Sequence, residues 1–207
     1  MNQTNQCSDP LIEQQDQVKL RVAQVLELAK SLGADGAEVA MSRQQGLSVG
    51  TRLGEVENVE FTNDGALGIT VYQQGRKGSA STADLSEKAL TQAVEAAVNI
   101  AKYTSVDDCS GLADKALLAM NPMDLDLYHP KELSTEQAIA IAKECEQSAL
   151  DSDARITNSD GANLDCFAGF KVYGNSHGQL VGYPSSRHSL SCVVIAANMM
   201  LIVISVC

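Results

Sequence analysis

Val56-Glu57-Asn58-Val59-Glu60-Phe61 reads as one strand, residues 66–72 as another, and Asn63-Asp64-Gly65 lies between them. Asn, Asp and Gly tolerate positive φ, so the three residues predict a hairpin turn. Working outward, Glu38-Val39-Ala40-Met41-Ser42 and Leu47-Ser48-Val49-Gly50-Thr51 read as two earlier strands. Gly75-Arg76-Lys77-Gly78 predicts a further turn before Ser79-Ala80-Ser81-Thr82. Strands that follow one another without helical crossovers disfavour a parallel doubly wound sheet.

Helices flank these strands. Val18, Val22, Val25, Ala29 and Leu32 recur at three- and four-residue spacing, and Gly33 is placed to end the helix they predict. Asp84 with Glu87, and Ser134 with Gln137, have capping-box spacing. The first opens a helix carrying Leu85, Leu90, Val94, Ala97 and Ala101; the second opens one running to about Leu150. Strands are expected again over residues 154–158, 164–173, 179–183 and 189–196. Asn158-Ser159-Asp160-Gly161 and Asn175-Ser176-His177-Gly178 supply turns between them.

The pattern predicts an α+β fold with helices flanking a largely antiparallel sheet, in two helix-then-strands halves. The expected organisation is a flexible leader (1–13), a first α+β subdomain (14–103), a linker (104–133) with a short helix over 112–120, a second α+β subdomain (134–198) and an aberrant hydrophobic tail (199–207). That tail is uncharged and far short of the roughly 20 residues needed to cross a bilayer. It reads as a truncation, or as a terminal strand buried against a neighbour.

A net charge of -11 and 4% aromatics argue against nucleic acid, which needs cations for phosphate and aromatic platforms for bases. No membrane association is expected. Residues 1–10 hold no apolar core of a signal peptide, so a cytoplasmic location and free thiols are expected for the six scattered cysteines.

Candidate chemistry is sparse. The histidines His129, His177 and His188 form no HExxH arrangement. His188 and Cys192, evenly spaced in one strand with His177 nearby, make a weak alternative metal set. Gly75-Arg76-Lys77-Gly78-Ser79 resembles a phosphate loop in composition, but it joins strand to strand and offers no helix N-terminus. Asp107, Asp108, Asp151 and Asp153 read as solvated carboxylates, and serines adjacent to His177 and His188 would point to opposite strand faces. No catalytic residue is assigned.

An ordered series of short stretches resembles the TldD/PmbA metalloprotease family. It includes Gly33-Ala34-Asp35-Gly36-Ala37-Glu38-Val39, Arg52-Leu53-Gly54-Glu55-Val56-Glu57-Asn58, Gly65-Ala66-Leu67-Gly68-Ile69-Thr70-Val71 and the run from Gly75 to Thr82. Asn158-Ser159-Asp160-Gly161-Ala162, Gly174-Asn175-Ser176-His177-Gly178 and Ser185-Ser186-Arg187-His188-Ser189 are similar to the PmbA branch, also called TldE. The resemblance covers roughly residues 14–198. It implies the amino-terminal portion of a non-catalytic subunit of a cytosolic heterodimeric protease, the family once labelled modulators of DNA gyrase. By the same resemblance the zinc belongs to a TldD-like partner, no cofactor sits on this chain, and unfolded peptide is the substrate. The family's proteases also mature a peptide antibiotic. No metal ligand carries over to any residue here. Arg52, Glu55, Gly68, Gly75 and Gly78 are candidates for a peptide-binding or subunit surface, and self-association through bare strand edges is a further expectation. The alternative is an autonomous peptide-binding or assembly module without a protease role.

Overall fold

The computed structural model describes residues 10–196 and 200–206. In chain order its elements are α1 (Pro10–Ser31), β1 (Gly36–Arg52), β2 (Glu55–Gln73), β3 (Arg76–Thr82), α2 (Glu87–Tyr103), α3 (Thr135–Leu150), β4 (Ile156–Asn175), β5 (Leu180–Ala196) and β6 (Met200–Val206). The strands form one sheet in the order β3-β2-β1-β4-β5-β6. The β2–β3 and β5–β6 pairs are antiparallel. The Ser176 amide donates to the Ala37 carbonyl, so the start of β1 meets the end of β4 and that pair is antiparallel as well. The expected α+β class with a largely antiparallel sheet is what the chain adopts.

Strands are longer than the sequence suggested, and turns fewer. Asn63-Asp64-Gly65 makes no hairpin: β2 runs through it, and none of the three residues has positive φ. Gly65 instead serves a close approach, since a Cβ there would lie 3.2 Å from the Ser42 carbonyl oxygen. The hairpin falls at Leu53 and Gly54, with φ of 48° and 77°. The two short strands expected over 38–42 and 47–51 are one strand, β1. Asn158-Ser159-Asp160-Gly161 likewise lies inside β4, where Gly161 at φ 108° passes close to the Thr51 carbonyl. The turn expected over 75–78 sits at Gln74 and Gly75. The short helix expected over 112–120 is a single 3₁₀ turn at Lys115–Leu117.

Helix ends follow local chemistry. Ser134 and Gln137 form the expected capping box on α3. On α2 the cap is Ser86 rather than Asp84, whose carboxylate accepts from the Ser86 amide and hydroxyl. Gly33, at φ 89°, follows α1. That helix begins at Pro10, within the stretch expected as leader, while residues 1–9 lie outside the described residues. Of the expected tail, Met199 and Cys207 lie outside them, and Met200–Val206 is β6.

The chain divides into two compact units, each drawn from three segments. One comprises Met1–Arg43, Gly65–Leu127 and Gly169–Pro184; the other Gln44–Asp64, Tyr128–Ala168 and Ser185–Cys207. In the first unit, Val22, Val25 and Ala29 of α1 and Val94, Ala97 and Ala101 of α2 are buried together with Val39, Leu67, Ile69, Val71 and Val172. The alternation along β1 and β2 sends these strand residues to one face. In the second unit, Ala138 and Ala142 of α3 pack on Leu47, Val49 and Leu164, while Ala149 packs on Ala162, Cys192 and Val194.

Gly78 shows how tightly α2 sits on β3: a Cβ there would lie 2.0 Å from the Ala97 carbonyl oxygen and 2.5 Å from the Ala101 nitrogen. Gly68, by contrast, has only the Ala40 carbonyl at 4.0 Å. Urea denaturation should therefore show Gly78→Ala destabilised by about 2–3 kcal/mol, since overpacking against rigid backbone has no easy relief. Gly68→Ala should stay within about 1 kcal/mol of the parent.

Candidate functional site

The buried stripe of α3 is Ala138, Ala142, Glu146 and Ala149. Three alanines allow close approach to the sheet, and the fourth position delivers a carboxylate into it. Glu146 is 1% exposed. Its Oε1 accepts from the Leu53 amide at 2.8 Å and its Oε2 from the Gly54 amide at 3.1 Å. Those are the two central residues of the β1–β2 hairpin. Leu53 at positive φ is strained, at a cost on the order of 1–3 kcal/mol. With 58% of its surface exposed, packing does not hold it there. Charge-assisted hydrogen bonds from both turn amides do.

Burial raises the Glu146 pKa, but hydrogen bonds from Ser159, Gly54 and Leu53 and the Arg52 charge outweigh it, leaving the carboxyl below its usual range. Arg52 donates from Nε to the Ser159 carbonyl at 3.2 Å, and its guanidinium lies 4.0 Å from Glu57. Glu55 is exposed beside the turn. Two of the five surface candidates, Arg52 and Glu55, thus come together at one hairpin. Gly68, Gly75 and Gly78 belong to the other unit. Gly75, at φ 70°, forms the β2–β3 turn and accepts at its carbonyl from the Asp107 amide, and Gly78 lies beneath α2.

The first unit holds a polar cluster that pattern reading did not single out. Glu38 accepts from Tyr72 Oη at 2.8 Å and from Tyr173 Oη at 3.0 Å. Burial, reinforced by the Glu38 hydrogen bond and charge, pushes the Tyr72 phenol up to about 12. A cavity of about 340 Å³ lies beside Tyr173, Lys171 and Tyr183. The advance signal was Glu38, a charged residue between apolar Ala37 and Val39. A second cavity, of about 420 Å³, is lined by α1 residues Leu26, Glu27 and Lys30 and by Ser176 and His177 of the β4–β5 turn. His177 Nδ1 is buried there without a hydrogen-bond partner.

The residues of the alternative metal set fall in different surroundings. His177 belongs to the first unit, His188 and Cys192 to the second. His188 Nε2 lies 3.0 Å from the His129 carbonyl, and Cys192 is buried against Ala149 and Val194 beside Cys145. Burial, then the neighbouring Cys145 and Glu146, push the Cys192 thiol up to about 11. Among the described residues no three His, Cys, Asp or Glu side chains are grouped to hold a metal. The described cysteines, Cys109, Cys145, Cys166 and Cys192, are free thiols. No described helix is long and apolar enough to cross a membrane.

Two family models match this sequence: PmbA/TldA metallopeptidase domain 1 over residues 37–101, and the PmbA/TldA metallopeptidase central domain over residues 128–200. The chain belongs to the PmbA/TldD family. It is 59% identical over 175 residues to metalloprotease PmbA of Escherichia coli O157:H7, covering 84% of this chain and 39% of that protein. A PmbA homologue of Haemophilus influenzae is 56% identical over 182 residues, covering 88% and 40%. The chain therefore spans about two fifths of the length of these PmbA relatives. Among solved structures, TldE from Thermococcus kodakarensis superposes with a TM-score of 0.72 at 16% identity, over 89% of this chain and 42% of that one, and shares the fold. The sequence resemblance to the family, and to its PmbA branch, is thus met by both family models and close PmbA relatives.

Two outcomes test this geometry. Glu146→Ala should lose about 2–4 kcal/mol in urea denaturation, because two turn amides lose their acceptor and the helix row gains a cavity. The Glu146 contribution is complete above the unfolded glutamate value of about 4.3 and is lost as pH falls through its lower folded value, so parent and variant should converge in acid. In the first unit, absorbance titration should show Tyr72 ionising near 12 in the parent and at lower pH in Glu38→Gln, where the facing charge is gone.

Proposed function

We propose that this chain is the amino-terminal part of the non-catalytic subunit of a TldD/TldE-type protease that acts on unfolded peptides in the cytosol. The observation that carries this reading is the pair of family matches joined to 59% identity with a PmbA relative. Zinc and the hydrolytic step belong to a TldD-like partner. This chain's part is to present surface: the Glu146-held hairpin with Arg52 and Glu55, and strand edges that an extended peptide can pair with. No step of hydrolysis is assigned to its residues.

The test is zinc content together with chelator-sensitive cleavage of an unfolded peptide, with and without a full-length TldD-like protein. The expected result is no zinc and no cleavage with this chain alone, and a change in cleavage rate when it joins the partner. Stoichiometric zinc with cleavage by this chain alone, or a partner indifferent to its presence, would contradict the proposal.

A further inference from the structure

β2 is 19 residues long and β3 only seven. Their pairing ends at Leu67↔Thr82, so the amino-terminal part of β2 extends past its neighbour. Its other side pairs with β1. Over residues 55–62 the outer edge of β2 therefore has no strand neighbour among the described residues. An open edge presents a row of amides and carbonyls ready to pair with another extended chain.

The side chains on this edge have a definite character. Glu55, Glu57 and Glu60 lie on it with no Lys or Arg among residues 55–62. Arg52 lies 4.0 Å from Glu57 and donates to the Ser159 carbonyl. Phe61 is 72% exposed and Val56 40%, while Val59 packs toward the α3 core. Three glutamates on an open edge repel a second copy of the same edge, which argues against self-pairing here. An exposed phenyl ring is not needed for repulsion, and on the same face as Glu55 and Glu57 it gives an incoming lysine or arginine a ring to rest on. We infer that residues 55–62 form a docking edge for an extended, lysine- or arginine-bearing polypeptide segment, which pairs its backbone with β2, its cations with Glu55, Glu57 and the Phe61 ring on one face of the strand, and its apolar side chains with Val56 on the other. The Glu146 clamp fixes the turn from which this edge begins, so the edge is held in place before any segment arrives. This rests on the proposed peptide-presenting role and names one edge and the chemistry of the segment it takes; it can be read without the second subunit.

The test uses the 207-residue chain without any protease partner. A fluorescent peptide of alternating lysine and valine, about ten residues long to match a strand, is titrated by anisotropy. The comparison peptides are the same sequence N-methylated at alternate residues in either register, and an alternating glutamate–valine peptide. Binding of the Lys–Val peptide should be lost on N-methylation in one of the two registers. It should weaken by at least about tenfold in Glu55→Lys/Glu57→Lys, whose melting should match the parent. No binding would mean that the glutamates only guard the edge, and it would overturn the inference. Equal binding of both N-methylated peptides would also overturn it, reducing the effect to attraction by the chain's net charge. So would equal binding of the Glu–Val peptide. The N-methylation arm uses the unaltered chain, so it decides even if the charge-reversal variant folds poorly. A negative result here would leave the accessory role in proteolysis standing.

Discussion

A single carboxylate organises the second unit. Glu146 occupies a position on α3 where its row otherwise carries alanine, and it spends both oxygens on the two amides of a two-residue turn. Burying an ion is costly unless hydrogen bonds replace its water, and here they do. The Ser159 hydroxyl and Arg52 complete the set, and the net effect keeps the group ionised at neutral pH. The same contacts hold Leu53 in a conformation that its side chain disfavours. Helix, turn and the start of β4 are thereby tied through one atom group, and β1 and β2 are registered from the turn outward.

From that register the surface follows. A two-residue turn sets where β2 starts, and the short β3 sets where its outer edge becomes covered. Between those limits lies the stretch with glutamates and an exposed Phe61. In the first unit the corresponding constraint is apolar: Gly78 admits the α2 backbone onto β3, and valines and isoleucine at alternate strand positions fill the space beneath both helices. The polar counterpart there is Glu38 between two tyrosines.

Much of the fold was legible in the sequence. Three helices stood out by spacing and caps, with Ser134 and Gln137 forming the expected box. The antiparallel character followed from strands in series. Turn placement was the weak part, because Asn, Asp and Gly mark positions that tolerate unusual backbone without saying why. Gly65 and Gly161 serve close approach between strands, whereas the actual β1–β2 turn uses Leu53, a residue no turn rule favours. It is stabilised by a side chain 93 residues away in sequence, which local reading cannot see. The site was legible in part for the same reason. Arg52 and Glu55 carried the family resemblance, while Glu146 was hidden inside an amphipathic helix where a glutamate reads as solvated. A glutamate in register with Ala138, Ala142 and Ala149 was the available signal.

The clamp is tested most directly by amide hydrogen exchange at Leu53 and Gly54. Both amides belong to an exposed turn tip, and without Glu146 they would exchange almost as fast as an unstructured peptide. The account predicts marked protection of both at neutral pH, diminishing together as the carboxylate is protonated in acid. Free exchange of both amides at neutral pH, with the neighbouring strands still protected, would contradict it.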